Sequence, residues 1–221
     1  GMKRYIPYLI ALSANSPYFE GERTGLASTR TKIFEGLPNT GIPENLRNYS
    51  EFQKFMRTLI SANSIESIRE IWWDIRPHPG YGTVEIRVCD SIPNLDNMRD
   101  LAAFIQALVV GLCNHYDNGT QLPYLDSWII HENKWRATRY GLDAKLIVDD
   151  DGNEEDIKNI IKNTILALEP EINDLNTGHA MDRILSRLKS NHSYYIEQKN
   201  IYLKNNSFSD LLQDNIEKLK K

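Results

Sequence analysis

The chain has 221 residues, a net charge of −4 and 41% hydrophobic residues, which suits one domain of moderate size with a sizeable core. Its most basic run, Lys218-Leu219-Lys220-Lys221, is too short to make an electrostatic case for nucleic acid. The longest apolar run, Leu101 to Cys113, is interrupted by Gln106 and too short to span a bilayer.

Gly1 before Met2 reads as a scar of tag removal, leaving residues 2–221 as the expected single domain. Residues 2–20 carry no clear cleavage pattern, so export is not expected. Cys89 and Cys113 fit free thiols in a reducing cytoplasm.

Residues 3–13 read as a helix, followed by a loop from Ser16-Pro17 toward Gly25. Residues 36–49, with two Gly and two Pro, read as a second loop. Ser50 is a plausible N-cap for a helix to about Ala62, with Phe52, Phe55, Met56 and Leu59 on its apolar face. Residues 71–77 and 83–89 read as strands. Asn97 is the expected cap of a long helix to about Tyr116, with Leu101, Ile105, Leu108, Val109 and Leu112 inward. A helix is expected over 127–138 and an extended piece over 144–148. Asp149-Asp150-Asp151-Gly152-Asn153 reads as a turn, because the spacing fails for a calcium loop. Helix is then expected over 154–168 and 170–188, with a break at Gly178. From Phe208 the tail is amphipathic, with Leu211, Leu212, Ile216 and Leu219 at helical spacing. The balance, mostly helix with a small sheet, is α+β.

Trp72 to Asp90, WWDIRPHPGYGTVEIRVCD, holds the densest chemistry. With Pro79-Gly80-Tyr81-Gly82 as the turn, His78 faces Thr83, Arg76 faces Glu85 and Asp74 faces Arg87. All these polar side chains then share one face, and Trp73, Ile75, Val84, Ile86 and Val88 share the other. A one-residue slip would set polar against apolar, so the pattern selects this register. Patterning alone leaves two readings open. One is a solvated sheet face with cross-strand charge pairs worth roughly 0.2–1 kcal/mol each. The other is a site for phosphate and metal, since Mg²⁺ takes oxygen ligands and the Arg fork matches phosphate oxygens.

This segment closely resembles the signature of the carboxylate–amine ligases related to type 2 glutamate–cysteine ligase. ALSANSPYFEGERTGLASTR, Ala11 to Arg30, is similar to that family's loop before the hairpin. HENKWRATRYGLDAKLI, His131 to Ile147, is similar to its later helix. The resemblance covers most of residues 5–150 and more loosely the rest. It implies an antiparallel sheet with helices packed on one face, like the catalytic domain of glutamine synthetase. Glu85 to Asp90 and the helix that follows resemble the Glu-x-Arg strand and apolar helix of that fold.

The implied reaction is amide formation driven by ATP with Mg²⁺, through an acyl phosphate, between a glutamate-like carboxylate and an amine. Glu85 would be the metal ligand. Arg87 would contact the transferring phosphate and Arg76 a phosphate or substrate carboxylate. Arg30 and His78 would contact ATP or substrate, as would a helical stripe of Asn133, Arg136 and Arg139, for which a solvated face is the alternative. Trp135 and Tyr140 are most simply packing residues. Family members usually begin with a Gly-x-Glu-x-Glu strand that supplies further metal ligands. No such segment occurs here, so the match is expected to begin partway through the family's pattern. The sheet edge this would leave leads to an expected homodimer, or to a separate N-terminal chain as partner.

Overall fold

The computed structural model describes residues 1–220. In chain order, a 3₁₀ turn (Met2–Tyr5) leads into α1 (Ile6–Ser13), β1 (Tyr18–Phe19), β2 (Glu22–Arg23), α2 (Thr29–Glu35), β3 (Thr40–Gly41) and α3 (Tyr49–Ser61). Then come β4 (Trp72–Trp73), β5 (Ile75–His78), β6 (Thr83–Ile86), α4 (Leu95–Asp117), α5 (Ser127–Tyr140), β7 (Lys145–Ile147) and β8 (Glu154–Asp156). The chain closes with α6 (Ile157–Ala167), α7 (Glu169–Asp174), α8 (Gly178–Lys189), α9 (Tyr194–Asn205) and α10 (Phe208–Leu219). Contacts divide it into two compact units: Gly1–Arg30 with the chain from Cys89 onward, and Thr31–Val88.

In the larger unit α1 is central. Every residue of IPYLIALS is buried, as expected of a helix that is apolar all round. It packs along α5 and also touches α4. The inward face of α4 is Leu101, Phe104, Ala107, Leu108 and Gly111. Leu101 and Leu108 are as expected, but Ile105, Val109 and Leu112 are only half-buried. Small residues turn the face: a Cβ on Gly111 would lie 2.7 Å from Leu168 Cδ2, so the glycine permits close approach.

The smaller unit has its own core of Phe52, Ile65, Ile71 and Trp73, with Phe55, Met56 and Leu59 of α3 packed on it. The apolar face of α3 is the one expected, but its cap is Asn48, whose side chain accepts from the Glu51 N–H at 3.0 Å. Likewise Asn94, not Asn97, caps α4.

The structure is mixed α+β and mostly helical. Among the described residues, however, the strands form four separate two-stranded ladders rather than one antiparallel sheet. Three are antiparallel, and β3–β4 is parallel. With strands of two to four residues, the helices carry the bulk of the buried apolar residues. Residues 154–156, expected to begin a helix, instead pair with β7. Asp149 closes that hairpin by accepting from the N–H groups of Asp151 and Asn153. The break expected at Gly178 falls just before it, and α9 was not expected at all. Neither Cys89 nor Cys113 is in a disulfide. Among the described residues no helix is long and apolar enough to cross a membrane.

Candidate functional site

The β5–β6 hairpin of the smaller unit has the expected register: Ile75 opposite Ile86, Arg76 opposite Glu85, Pro77 opposite Val84 and His78 opposite Thr83. Pairing continues past the ladder, where the Arg87 N–H donates to the Asp74 carbonyl at 2.8 Å. The polar face is not solvated throughout, because Arg76 is only 5% exposed. Its Nε and Nη2 donate to Glu85 Oε2 at 3.1 and 2.5 Å. Its Nη1 donates to the carbonyls of Ile68 and Ile71 at 2.8 and 2.9 Å. Arg87 Nη1 takes the other carboxylate oxygen, Oε1, at 2.8 Å, and the Arg87 guanidinium lies 5.0 Å from the Trp72 ring centre. Burial raises the Glu85 pKa, but the hydrogen bonds and charges of Arg76 and Arg87 outweigh it and hold the carboxyl below its ordinary range. On the opposite face Trp73, Ile75 and Val88 are buried, whereas Val84 is 53% exposed. At the hairpin end the His78 ring stacks on Tyr81 with centres 4.5 Å apart.

A second constellation lies in the larger unit. Asp90 is 6% exposed, and its Oδ2 accepts from the Asn15 N–H at 2.8 Å and Ser16 Oγ at 2.7 Å. Its Oδ1 accepts from Ser28 Oγ at 2.8 Å, and its own N–H donates to Ser13 Oγ at 3.2 Å. Ser16 Oγ in turn accepts from the Arg30 N–H at 3.1 Å. One aspartate therefore ties together the two ends of the Ala11–Arg30 block and fixes where Arg30 starts. Beside it is a cavity of about 330 Å³, lined by Asn15, Ser16, Arg30, Asp90 and the Ser91–Pro93 segment, and by Gln198, Asn215 and Leu219.

The expected stripe on α5 is spread from the core to the surface. Asn133 is buried and uses both amide ends on one residue: Nδ2 donates to the Ile147 carbonyl, and Oδ1 accepts the Ile147 N–H, each at 2.8 Å. Arg136 is half-buried and pairs with Glu132 and Glu154. Arg139 is exposed, and its Nη1 donates to the Gly25 carbonyl at 3.1 Å. Apart from the Arg136–Glu132 pair within α5, these contacts hold β7, β8 or the loop before Arg30. Trp135 and Tyr140, read as packing residues, are 40% and 52% exposed.

The model of glutamate–cysteine ligase family 2 matches residues 1–191. A protein of Frankia alni provisionally named glutamate–cysteine ligase 2-1 is 44% identical over 190 residues, 86% of this chain and 50% of its own length. A similarly named protein of Thermobifida fusca is 42% identical over 193 residues, 87% of this chain and 48% of its own length. One of Mycobacterium tuberculosis is 40% identical over 190 residues, 86% and 50% respectively. The chain belongs to glutamate–cysteine ligase family 2. It spans about half the length of the curated relatives it matches.

The hairpin, the Asp90 hub and α5 all lie inside the matched residues of the family, whereas α9 and α10 lie beyond them. Asp90 as a hub escaped sequence reasoning, as did the Thr138 carbonyl, which accepts from the N–H groups of Ala27 and Ser28 at 2.9 and 3.1 Å. The only sequence signal was Asp90 closing the Glu-x-Arg strand. Its partners lie 62 to 77 residues away. For Mg²⁺, no group of three or more His, Cys, Asp or Glu among the described residues could hold a metal. Glu85 is one carboxylate beside two guanidinium groups. Both of its oxygens already accept from those cations, so it does not fit a self-standing metal centre.

Proposed function

We propose that this chain carries part of the catalytic centre of an ATP-dependent carboxylate–amine ligase with the glutamine synthetase-like fold. The reaction joins a glutamate-like acid to an amine through an acyl phosphate. The observation that carries the reading is the Glu85 carboxylate held between the guanidinium groups of Arg76 and Arg87 on one strand face.

Arg87 is the residue for the transferring phosphoryl group, where negative charge collects and fixed donors stabilise it. Arg76 has a different role from the one the sequence suggested. Its donors already engage Glu85 and two backbone carbonyls, so it positions Glu85 rather than reaching for substrate. Mg²⁺ bound with the nucleotide would take Glu85 as its protein ligand and neutralise phosphate charge. Arg30, at the edge of the 330 Å³ cavity, is the contact for the acid's carboxylate. His78 offers a further polar contact at the hairpin end. Asn133, Arg136 and Arg139 act within the larger unit, holding β7, β8 and the Gly25 loop that leads to Arg30.

The second reading is a non-catalytic homologue that binds nucleotide, or a subunit completed by a separate N-terminal chain or by its own homodimer. It is favoured by the single carboxylate of the hairpin site.

Calorimetry with Mg²⁺-ATP on the wild type, Glu85→Gln and Arg87→Ala tests the assignment, with circular dichroism as the control for folding. Affinity should fall at least tenfold in both variants. Unchanged affinity in both, with the fold intact, would sink it. ADP release from pure protein that depends on glutamate and an amine would favour the enzyme over the homologue.

A further inference from the structure

The cavity beside Arg30 has two walls of different origin. One consists of Asn15, Ser16, Arg30 and the segment from Asp90, all inside the family match. The other consists of Gln198 from α9 with Asn215 and Leu219 from α10, all beyond residue 191, where that match ends.

The second wall is firmly built. The Tyr195 N–H donates to the Ala14 carbonyl at 3.2 Å. Buried Gln198 donates from Nε2 to the Asn15 carbonyl at 2.8 Å, one residue before Ser16. Asn206, at φ +47°, reverses the chain between the two helices, and Ser207 caps α10 by accepting from the Asp210 N–H at 3.2 Å. Lys218 then ties α10 to α9 through Glu197 at 2.6 Å. The rings of Tyr202 and Phe208 lie 4.5 Å apart at a tilt, and Tyr18, from the Ala11–Arg30 block, packs on both at 5.1 and 5.2 Å.

We propose that α10 is the wall that selects the acid: Asn215 and Leu219 determine which carboxylate substrate the Arg30 cavity accepts. This rests on the reading of Arg30 as the carboxylate contact. The chemistry of the lining defines the ligand class. The Asn15 and Gln198 amides already donate to the Ser91 carbonyl and to Asn15, and the Arg30 guanidinium with the Asn215 amide suits a small polar acid, because the planar fork matches a carboxylate. Leu219 and Ile92 add apolar surface for a short aliphatic stem. At about 330 Å³ the cavity is at the floor of the roughly 300–1,000 Å³ range of small-molecule pockets. An amino acid fits such a volume. Leu219 is 47% exposed, which puts it at the rim, where a change of size alters the room available more than the fold.

The test is calorimetry on the full chain with L-aspartate, L-glutamate and L-2-aminoadipate, which differ by single methylenes, in the presence of saturating Mg²⁺-ATP. The proteins are the wild type, Arg30→Met, Asn215→Leu and Leu219→Ala. One methylene in a fitted pocket is worth roughly 10–200-fold in discrimination. Arg30→Met should weaken every acid at least tenfold. Leu219→Ala should shift the affinity ratio toward 2-aminoadipate at least fivefold, and Asn215→Leu should alter the same ratios with the melting temperature unchanged. A merely structural role for α10 would lower affinities together and leave their ratios fixed. Acid binding that needs Arg30 but keeps its ratios within twofold in both α10 variants would overturn the proposal and leave the Arg30 reading standing. A wild type that binds none of the three acids would overturn both.

Discussion

Asp90 shows how a single buried carboxylate can order residues far apart in sequence. Burial pushes its pKa up, against the donors from Asn15, Ser16 and Ser28 and the charge of Arg30. The folded state therefore holds the proton more tightly than the unfolded chain. Stability contributed by this group is greatest below the ordinary aspartate value and is lost as pH rises through the raised one. The stability gap between wild type and Asp90→Asn should therefore narrow as pH rises across that window. Urea denaturation at stepped pH measures it, and a gap that widens instead would contradict the shift. Asp90→Ala, which orphans three donors, should cost about 1–3 kcal/mol. Gly141 is a second sensitive position. Its φ is +56°, and an added Cβ would lie 2.7 Å from the Tyr195 ring, so Gly141→Ala should cost about 1–3 kcal/mol. The two positions differ in legibility. The pairing of Arg76 with Glu85 could be read from sequence because strand periodicity fixes which side chains face each other. The hub could not, since no local pattern announces a carboxylate whose partners lie more than sixty residues away.

At the scale of elements, periodicity located the strongly amphipathic helices and failed where tertiary pairing competed with it. The apolar face of α3 was visible in spacing alone, and so was helix α10, although of its four spaced residues only Leu211 is buried and Leu212, Ile216 and Leu219 are exposed. Helix α9 was missed because its aromatic and apolar residues, Tyr194, Tyr195, Ile196, Ile201, Tyr202 and Leu203, do not gather on one stripe. Glu154-Glu155-Asp156 resembled an acidic first helical turn, but pairing with β7 won, and Asp156 became the cap of α6. The clamp on β7 can be tested directly. Asn133→Ala removes both hydrogen bonds to Ile147 and leaves a buried gap on α5. It should cost about 1–3 kcal/mol and raise amide exchange at Ile147. Protection there equal to wild type would show that β8 alone holds the strand. In the hairpin, Arg76→Lys should also be costly, about 1.5–3 kcal/mol by denaturant melts. A single ammonium cannot reproduce the fork that joins Glu85 to two carbonyls.

For the whole molecule, family membership was legible because three blocks carry it in order, while the expected single sheet was not found in four short ladders. The chain spans about half of its relatives' length, and the larger unit exposes an aromatic stripe on α5. Trp128 and Trp135, seven residues apart on the helix, are 59% and 40% exposed, and His131 lies between them on the same face. Tyr124, just before the helix, is 70% exposed. Exposed apolar surface gathered in this way marks an interaction site, and a closed two-fold pairing would cover both copies without open-ended growth. Size exclusion with light scattering should give a mass near twice 25.5 kDa at tens of micromolar. Trp128→Glu with Trp135→Glu should return the monomer mass with an unchanged circular dichroism spectrum, because neither ring is part of the buried core. A wild-type monomer over a hundredfold concentration range would rule out self-association. A dimer that survives both substitutions would move the interface off α5, and its persistence after deletion of residues 206–221 would exclude α10 as well.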